Sequence, residues 1–207
     1  MSISDRFILK TLAVQTLRYV PYGFNLFAQE EFFSLYNDVS RDLQHIFHCP
    51  NSTPAIMSGE GMLALWGALK SVIRPGDVVL SLSSGIFGTG IGNMAKQIGA
   101  EVTIYEIPFD EAFRDYSAIR DLANKIKPKL ITMVHCETPS GVLNPLDPIS
   151  EISRETGALF YVDFVSSGCG VDINIEKLNI DLGLLGTQKV VSTHPGNYLK
   201  IINIYLI

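Results

Sequence analysis

What most constrains this chain is a rhythm: short, nearly uncharged apolar runs alternate with stretches whose apolar residues recur every three or four positions. The runs are Ala55-Ile56-Met57, Val78–Leu82, Val102–Ile107, Leu130–Val134 and Leu159–Val162; the intervening stretches are 61–73, 88–98, 115–126 and 147–156. Gly and Pro clusters such as Arg74-Pro75-Gly76-Asp77 punctuate the units. Runs that are continuously apolar, rather than alternating with polar residues, belong to strands buried on both faces. The pattern predicts an α/β fold, a mostly parallel sheet with helices on both faces. Ligands of such sheets sit beyond the carboxyl ends of the strands, so chemistry is sought just after each apolar run.

Two flanking segments differ. Residues 31–47 carry Phe32, Phe33, Tyr36, Val39, Leu43, Ile46 and Phe47 at helical spacing, one apolar face of a helix. This divides the chain into an N-terminal segment with an amphipathic helix (1–52) and a ligand-binding α/β domain (53–207). The apolar tail from Ile201 to Ile207 reads as an unpaired strand, an aggregation hazard.

Composition removes several function classes. Of 207 residues, 47% are hydrophobic and 18% charged, as in a folded domain, and net charge is 16 − 21 = −5 without long runs of either sign. Neither a nucleic-acid groove nor an anionic-membrane patch is expected. Cys49, Cys136 and Cys169 are odd in number and lack CxxC spacing, which suits reduced thiols. The N-terminus is a poor signal peptide and no apolar stretch is long enough for a membrane helix. The expectation is a soluble intracellular protein of the cytoplasm.

Chemistry-bearing residues then fall where the sheet places them. After the first run comes Ser58-Gly59-Glu60-Gly61-Met62, a glycine turn into a helix whose N–H groups suit a phosphate, or simply a tight turn. After the second comes Ser83-Ser84-Gly85-Ile86-Phe87-Gly88, where Phe87 is available to stack on a flat ring. The polar loop from His135 through Thr138 to Pro145 follows the fourth run, with His135 read as a structural hydrogen-bonding residue. The fifth run ends in Asp163, a carboxylate that needs a partner if desolvated, such as a protonated ring nitrogen. Asp181 to Gln188, uncharged after its first residue, leads into Lys189, whose amine becomes a nucleophile toward aldehydes if desolvated. Asp163 and Lys189 are 189 − 163 = 26 residues apart, room for a turn, a short helix and another strand. Together these supply what pyridoxal 5′-phosphate requires: an amine for the aldehyde, an anion for the ring nitrogen and backbone donors for the phosphate.

At these residues the chain resembles the class V aminotransferases of fold type I, near the alanine–glyoxylate and serine–pyruvate enzymes. The matching stretches are Gly59 to Leu65, Arg74-Pro75-Gly76-Asp77, His135-Cys136-Glu137-Thr138 with Gly141 to Leu146, Val162 to Ser167, and Gly186-Thr187-Gln188-Lys189. The resemblance implies that Lys189 holds the cofactor as a Schiff base and carries protons, while Asp163 keeps the pyridine nitrogen protonated. It implies further that Val165 and Phe87 cover the two ring faces and that Thr138 bonds near the ring hydroxyl. Glu60, Gly61, Met62 and Gln188 would hold the phosphate. The implied reaction is ping-pong transfer of an amino group between a small amino acid, of alanine or serine type, and a 2-oxo acid of glyoxylate or pyruvate type, in a homodimer. The family's Gly-Pro-rich opening is not recognisable in residues 1–30, and its small C-terminal domain, with the arginine that grips the substrate carboxylate, has no counterpart after Pro195-Gly196. The expectation is therefore a truncated cofactor domain.

Three rival readings have their own tests. Gly90-Ile91-Gly92-Asn93-Met94-Ala95 fits G-x-G-x-x-A, with Glu106 ending the next apolar run, as in a nicotinamide-binding protein. The stretch from Gly59 to Ala64 fits the same pattern, and this reading leaves Asp163 and Lys189 without a role. A catalytically inactive cofactor-domain fragment is the second rival. A metal site at His45 and His48 is the third and lacks an acidic ligand nearby, so no metal is expected.

Overall fold

The computed structural model describes residues 26–58, 61–191 and 202–206. It begins with α1 (Leu26–Ile46), followed by β1 (Pro54–Ser58), α2 (Gly61–Val72), β2 (Val78–Ser83) and α3 (Ile86–Ile98). Then come β3 (Glu101–Glu106), α4 (Tyr116–Ile126), β4 (Leu130–Val134), α5 (Asp147–Thr156), β5 (Leu159–Asp163), β6 (Leu182–Gly186) and β7 (Ile202–Leu206). The strands form one sheet in the order β1-β7-β6-β5-β4-β2-β3. Strands β2 to β6 pair in parallel; β7 is antiparallel to both its neighbours. The mostly parallel sheet expected from the apolar runs is present.

Burial explains why those runs are continuous. Alternate residues of the central strands enter two different cores. Ile131 and Met133 of β4, with Phe160 and Val162 of β5, pack with Ile119 and Ala123 of α4 and Ile149 and Ile152 of α5. On the other face Leu130, Val134 and Tyr161 pack with Ala64 and Leu69 of α2 and Ile91 and Ala95 of α3. A strand covered on both sides has no solvent face and so no polar alternation. Each fully buried Leu, Ile or Phe contributes about 1.5–3 kcal/mol, so the two layers hold the strand ends in place.

Helix α1 joins the first core through Leu43, and Phe47 and Cys49 just beyond it are buried in the same cluster. Its Tyr36 hydroxyl donates to the Pro54 carbonyl at 3.1 Å and accepts from the Ile56 N–H at 3.2 Å, satisfying groups on the outer edge of β1. Gly99 closes α3 at φ 102°, a left-handed conformation where its N–H returns to Ala95 and Lys96 carbonyls.

The tail departs from expectation. Residues 202–206 are not an unpaired strand: Ile202 to Leu206 pair with Ser58 to Pro54 on one side, and Asn203 to Leu206 with Gly186 to Gly183 on the other.

Candidate active site

Strands β2, β4, β5 and β6 run the same way, so the turns after them gather at one edge of the sheet. Strand β1 runs with them, since it and β6 are both antiparallel to β7. Asp163 is the last residue of β5, level with Val134 of β4 and Leu184 of β6. Only 9% of it is exposed. Its Oδ1 accepts the Val165 N–H at 2.9 Å, which bends the chain away from the sheet. Burial pushes the Asp163 carboxyl up to about 6, and the nearby Glu137 adds to the rise; the Val165 hydrogen bond and the Lys189 charge oppose it.

Lys189 lies three residues beyond the end of β6 and reaches back over the same edge. Its Nζ donates to Thr138 Oγ1 at 2.5 Å and to Ser166 Oγ at 2.7 Å, and these hydroxyls are 2.7 Å from each other. The amine also sits 5.8 Å from the centroid of the Phe87 ring, within cation–π range. Phe87 stands in the first turn of α3 with 38% of its surface exposed, open to a flat ligand. Four strand ends thus converge on one amine.

The surroundings hold this group rigidly. Val165 lies against Gly186, where an added Cβ would be 2.7 Å from Val165 Cγ1, and the Gln188 side-chain oxygen covers the same glycine. His135 is buried, with its Nδ1 and the Ser167 hydroxyl hydrogen-bonded at 2.8 Å. Burial lowers its pKa to about 4, so the ring is neutral and structural. Gly85 begins α3 without a capping side chain, and the fully buried Glu137 takes that part: its Oε1 accepts the Gly88 N–H at 2.8 Å. Glu137 Oε2 is buried with no hydrogen-bond partner among the described residues.

Of the residues expected from sequence, Lys189 bonds to Thr138 and lies within cation–π range of Phe87, while Asp163 ends β5 and Val165 follows in the turn after it. Gly61 and Met62 open α2, at the same sheet edge, with Met62 half exposed. Gln188 is exposed beside Lys189, and Glu60 lies outside the described residues. Sequence reasoning assigned no role to Ser166 or to the Glu137 carboxylate, although both stand in the stretches that suggested the site. A hydroxyl three residues after a strand-end carboxylate was the available signal for Ser166.

The rival motifs do not form sites. Gly90 and Gly92 lie inside α3 rather than at its start, and Gly92 faces Ser81 and Ile104, where a Cβ would lie 3.0 Å from each. Gly92 serves helix–sheet packing while Gly90 meets open space, and neither sits at a helix N-terminus that could take a pyrophosphate. His48 pairs with Asp172 at 3.3 Å, and no group of three metal-ligating side chains occurs among the described residues. Among them, too, no helix is long and apolar enough to cross a membrane.

Comparison with known proteins gives a consistent picture. The family model for class-V aminotransferases matches residues 28–194. Pyridoxamine–pyruvate transaminase of Mesorhizobium japonicum is 36% identical over 164 residues, covering 78% of this chain and 41% of that protein. Alanine–glyoxylate aminotransferase of Felis catus is 32% identical over 173 residues, covering 82% and 41%. The crystal structure of alanine–glyoxylate aminotransferase from Nostoc superposes with a TM-score of 0.79 at 29% identity, covering 86% of this chain and 46% of that one. The chain spans less than half the length of these relatives.

Proposed function

The chain belongs to the class-V aminotransferase family, and from that premise we propose that it holds pyridoxal 5′-phosphate at Lys189. The observation that carries this is the pairing of an amine and a desolvated carboxylate at the ends of adjacent parallel strands. The residues fit the group. Asp163 has its carboxyl raised by burial, and a protonated ring nitrogen placed against it would offset that cost with a charge-assisted bond. Phe87 offers an open ring face and Val165 an apolar one; Thr138 is the hydroxyl for the ring oxygen. Gly61 and Met62, which open α2, are assigned to the phosphate with Gln188 and with Glu60, which precedes them in sequence.

When bound, the cofactor supplies an electron sink that drains charge from the α-carbon of an amino acid. The protein's share is to keep that ring charged through Asp163, fixed between Phe87 and Val165, and to move the α-proton with the Lys189 amine. The reaction we assign is transfer of an amino group between a small amino acid, of alanine or serine type, and a 2-oxo acid of glyoxylate or pyruvate type. What supports this choice is that the Mesorhizobium relative is a pyruvate transaminase and the feline one a glyoxylate aminotransferase. Pairing of two copies into a homodimer is part of the same reading, and light scattering of the purified chain tests it.

The deciding experiment is borohydride reduction of the chain with pyridoxal phosphate, followed by peptide mapping. A label on Lys189 is expected; a label on another lysine, or none, would remove the assignment. The alternative reading is cofactor binding without turnover. Amino transfer from alanine or serine to glyoxylate or pyruvate by this chain would eliminate it.

A further inference from the structure

Lys189 is held by two hydroxyls, and only one of them has a task in the reading above. Thr138 is assigned to the ring oxygen of the cofactor. Ser166 Oγ lies 2.7 Å from the amine and 2.7 Å from Thr138 Oγ1, closing a triangle of three short hydrogen bonds. We propose that Ser166 is a positioning residue, the hydroxyl that keeps the Lys189 amine in place in both its charged and its neutral form. This rests on Lys189 being the cofactor-bearing lysine.

The argument is a count of protons. An ammonium has three N–H donors and no acceptor; a neutral amine has two donors and one lone pair. A hydroxyl is both donor and acceptor and turns freely about its C–O bond. With the amine charged, Nζ donates along two sides of the triangle and one hydroxyl donates along the third. With the amine neutral, Ser166 reverses and donates to the lone pair. Every side remains bonded in either state. A carboxylate at the position of Ser166 would instead bind only the ammonium and hold the lysine protonated. A lysine that gives up and takes back a proton needs a partner of the hydroxyl kind.

Ser166 is also fixed where this role requires. The Asp163 carboxylate holds the Val165 N–H on one side of it, and His135 holds the Ser167 hydroxyl on the other. The Ser167 and Gly168 N–H groups both return to the Phe164 carbonyl, at 3.1 and 2.7 Å. The hydroxyl rotates, while the turn that carries it does not.

Trace acetylation with acetic anhydride across pH, read by peptide mapping, reports the ionisation of Lys189 without any cofactor. Charge-assisted hydrogen bonds are the stronger ones, so removing this acceptor destabilises the ammonium more than the amine. Ser166→Ala should lower the midpoint for Lys189 by about one pH unit, and Ser166→Thr should restore it. Lys129, bonded to Asp77 at 2.6 Å on the opposite sheet edge, is the control for intact folding and should not move. An unchanged Lys189 midpoint in Ser166→Ala, or an equal shift at Lys129, overturns the proposal. Borohydride labelling on the same samples separates the two ideas: an unlabelled Lys189 in the unsubstituted chain would end the cofactor reading, while the acetylation midpoints would still decide whether Ser166 holds the amine.

Discussion

The Glu137 carboxyl fills the space that a side chain at Gly85 would need: a Cβ on Gly85 would lie 2.7 Å from Glu137 Cδ. The two residues are 52 positions apart, yet each explains the other. Gly85 leaves the start of α3 without a cap of its own, and Glu137 supplies one at Gly88. This contact joins the loop carrying Thr138 to the turn carrying Phe87.

Removing either partner should therefore cost stability, and removing both should cost less than the sum. Glu137→Ala strands the buried Gly88 N–H, a loss of about 1–3 kcal/mol before any cavity is counted. Gly85→Ala overpacks the same space by about 1–3 kcal/mol. In the double variant the new methyl enters the room left by the carboxylate, so the coupling should be favourable. Urea unfolding of the four proteins measures it; strict additivity would show that the contact is not energetic.

Asp163 and His135 impose opposite pH dependences on the cofactor-free fold. The Asp163 carboxyl rises from 3.8 to about 6, so its contribution is present at low pH and is lost as pH climbs through that window. Relative to Asp163→Asn, the unsubstituted chain should lose up to about 3 kcal/mol between those limits. His135 falls from 6.5 to about 4, so its contribution is present above that range and lost as pH drops through it. His135→Gln should flatten that acid limb. Denaturant midpoints at pH 4, 5, 6 and 7 check both slopes, and a reversed sign in either would contradict the burial described for it.

Phe87→Ala should weaken pyridoxal phosphate binding without abolishing it. A ring–ring contact contributes about 0.5–1.5 kcal/mol beyond its buried area, or roughly a two- to thirteen-fold change in Kd. Fluorescence titration in a Lys189→Ala background isolates the non-covalent step. An unaltered Kd would place the ring elsewhere.

Ile204→Pro should break the sheet one strand in from its edge. Ile204 is paired with Ile56 on one side and Leu185 on the other, so proline removes a ladder donor and leaves β1 and β6 as open edges. Loss of cooperative unfolding with increased light scattering is the expected result; an unchanged melting curve would mean that β7 is dispensable.

The parts of the fold visible in sequence were those set by burial at short range. Continuous runs such as Leu130–Val134 announced strands covered on both faces, and Asp163 and Lys189 stood out because charges at the ends of such runs need partners. Which strands become neighbours is a different kind of information. Nothing in Ile202 to Leu206 distinguishes a strand seated between β1 and β6 from one left unpaired, since both are five apolar-rich residues. Glu137 was hidden for the same reason. In a turn-rich polar loop a glutamate reads as solvated, and only the approach of Gly88 from another element makes it a buried cap.

The seating of β7 has a consequence for biosynthesis. Ser58 pairs with Ile202, 202 − 58 = 144 positions later, and within the described sheet β1 has no other strand beside it. At roughly 5–20 residues per second, β1 leaves the ribosome on the order of ten seconds before its partner. During that interval the Tyr36 hydroxyl is the described group that occupies backbone positions on β1. The nascent chain thus carries β1 without its described partner strand throughout that interval, and co-translational holding by a chaperone at this edge would bear directly on yield.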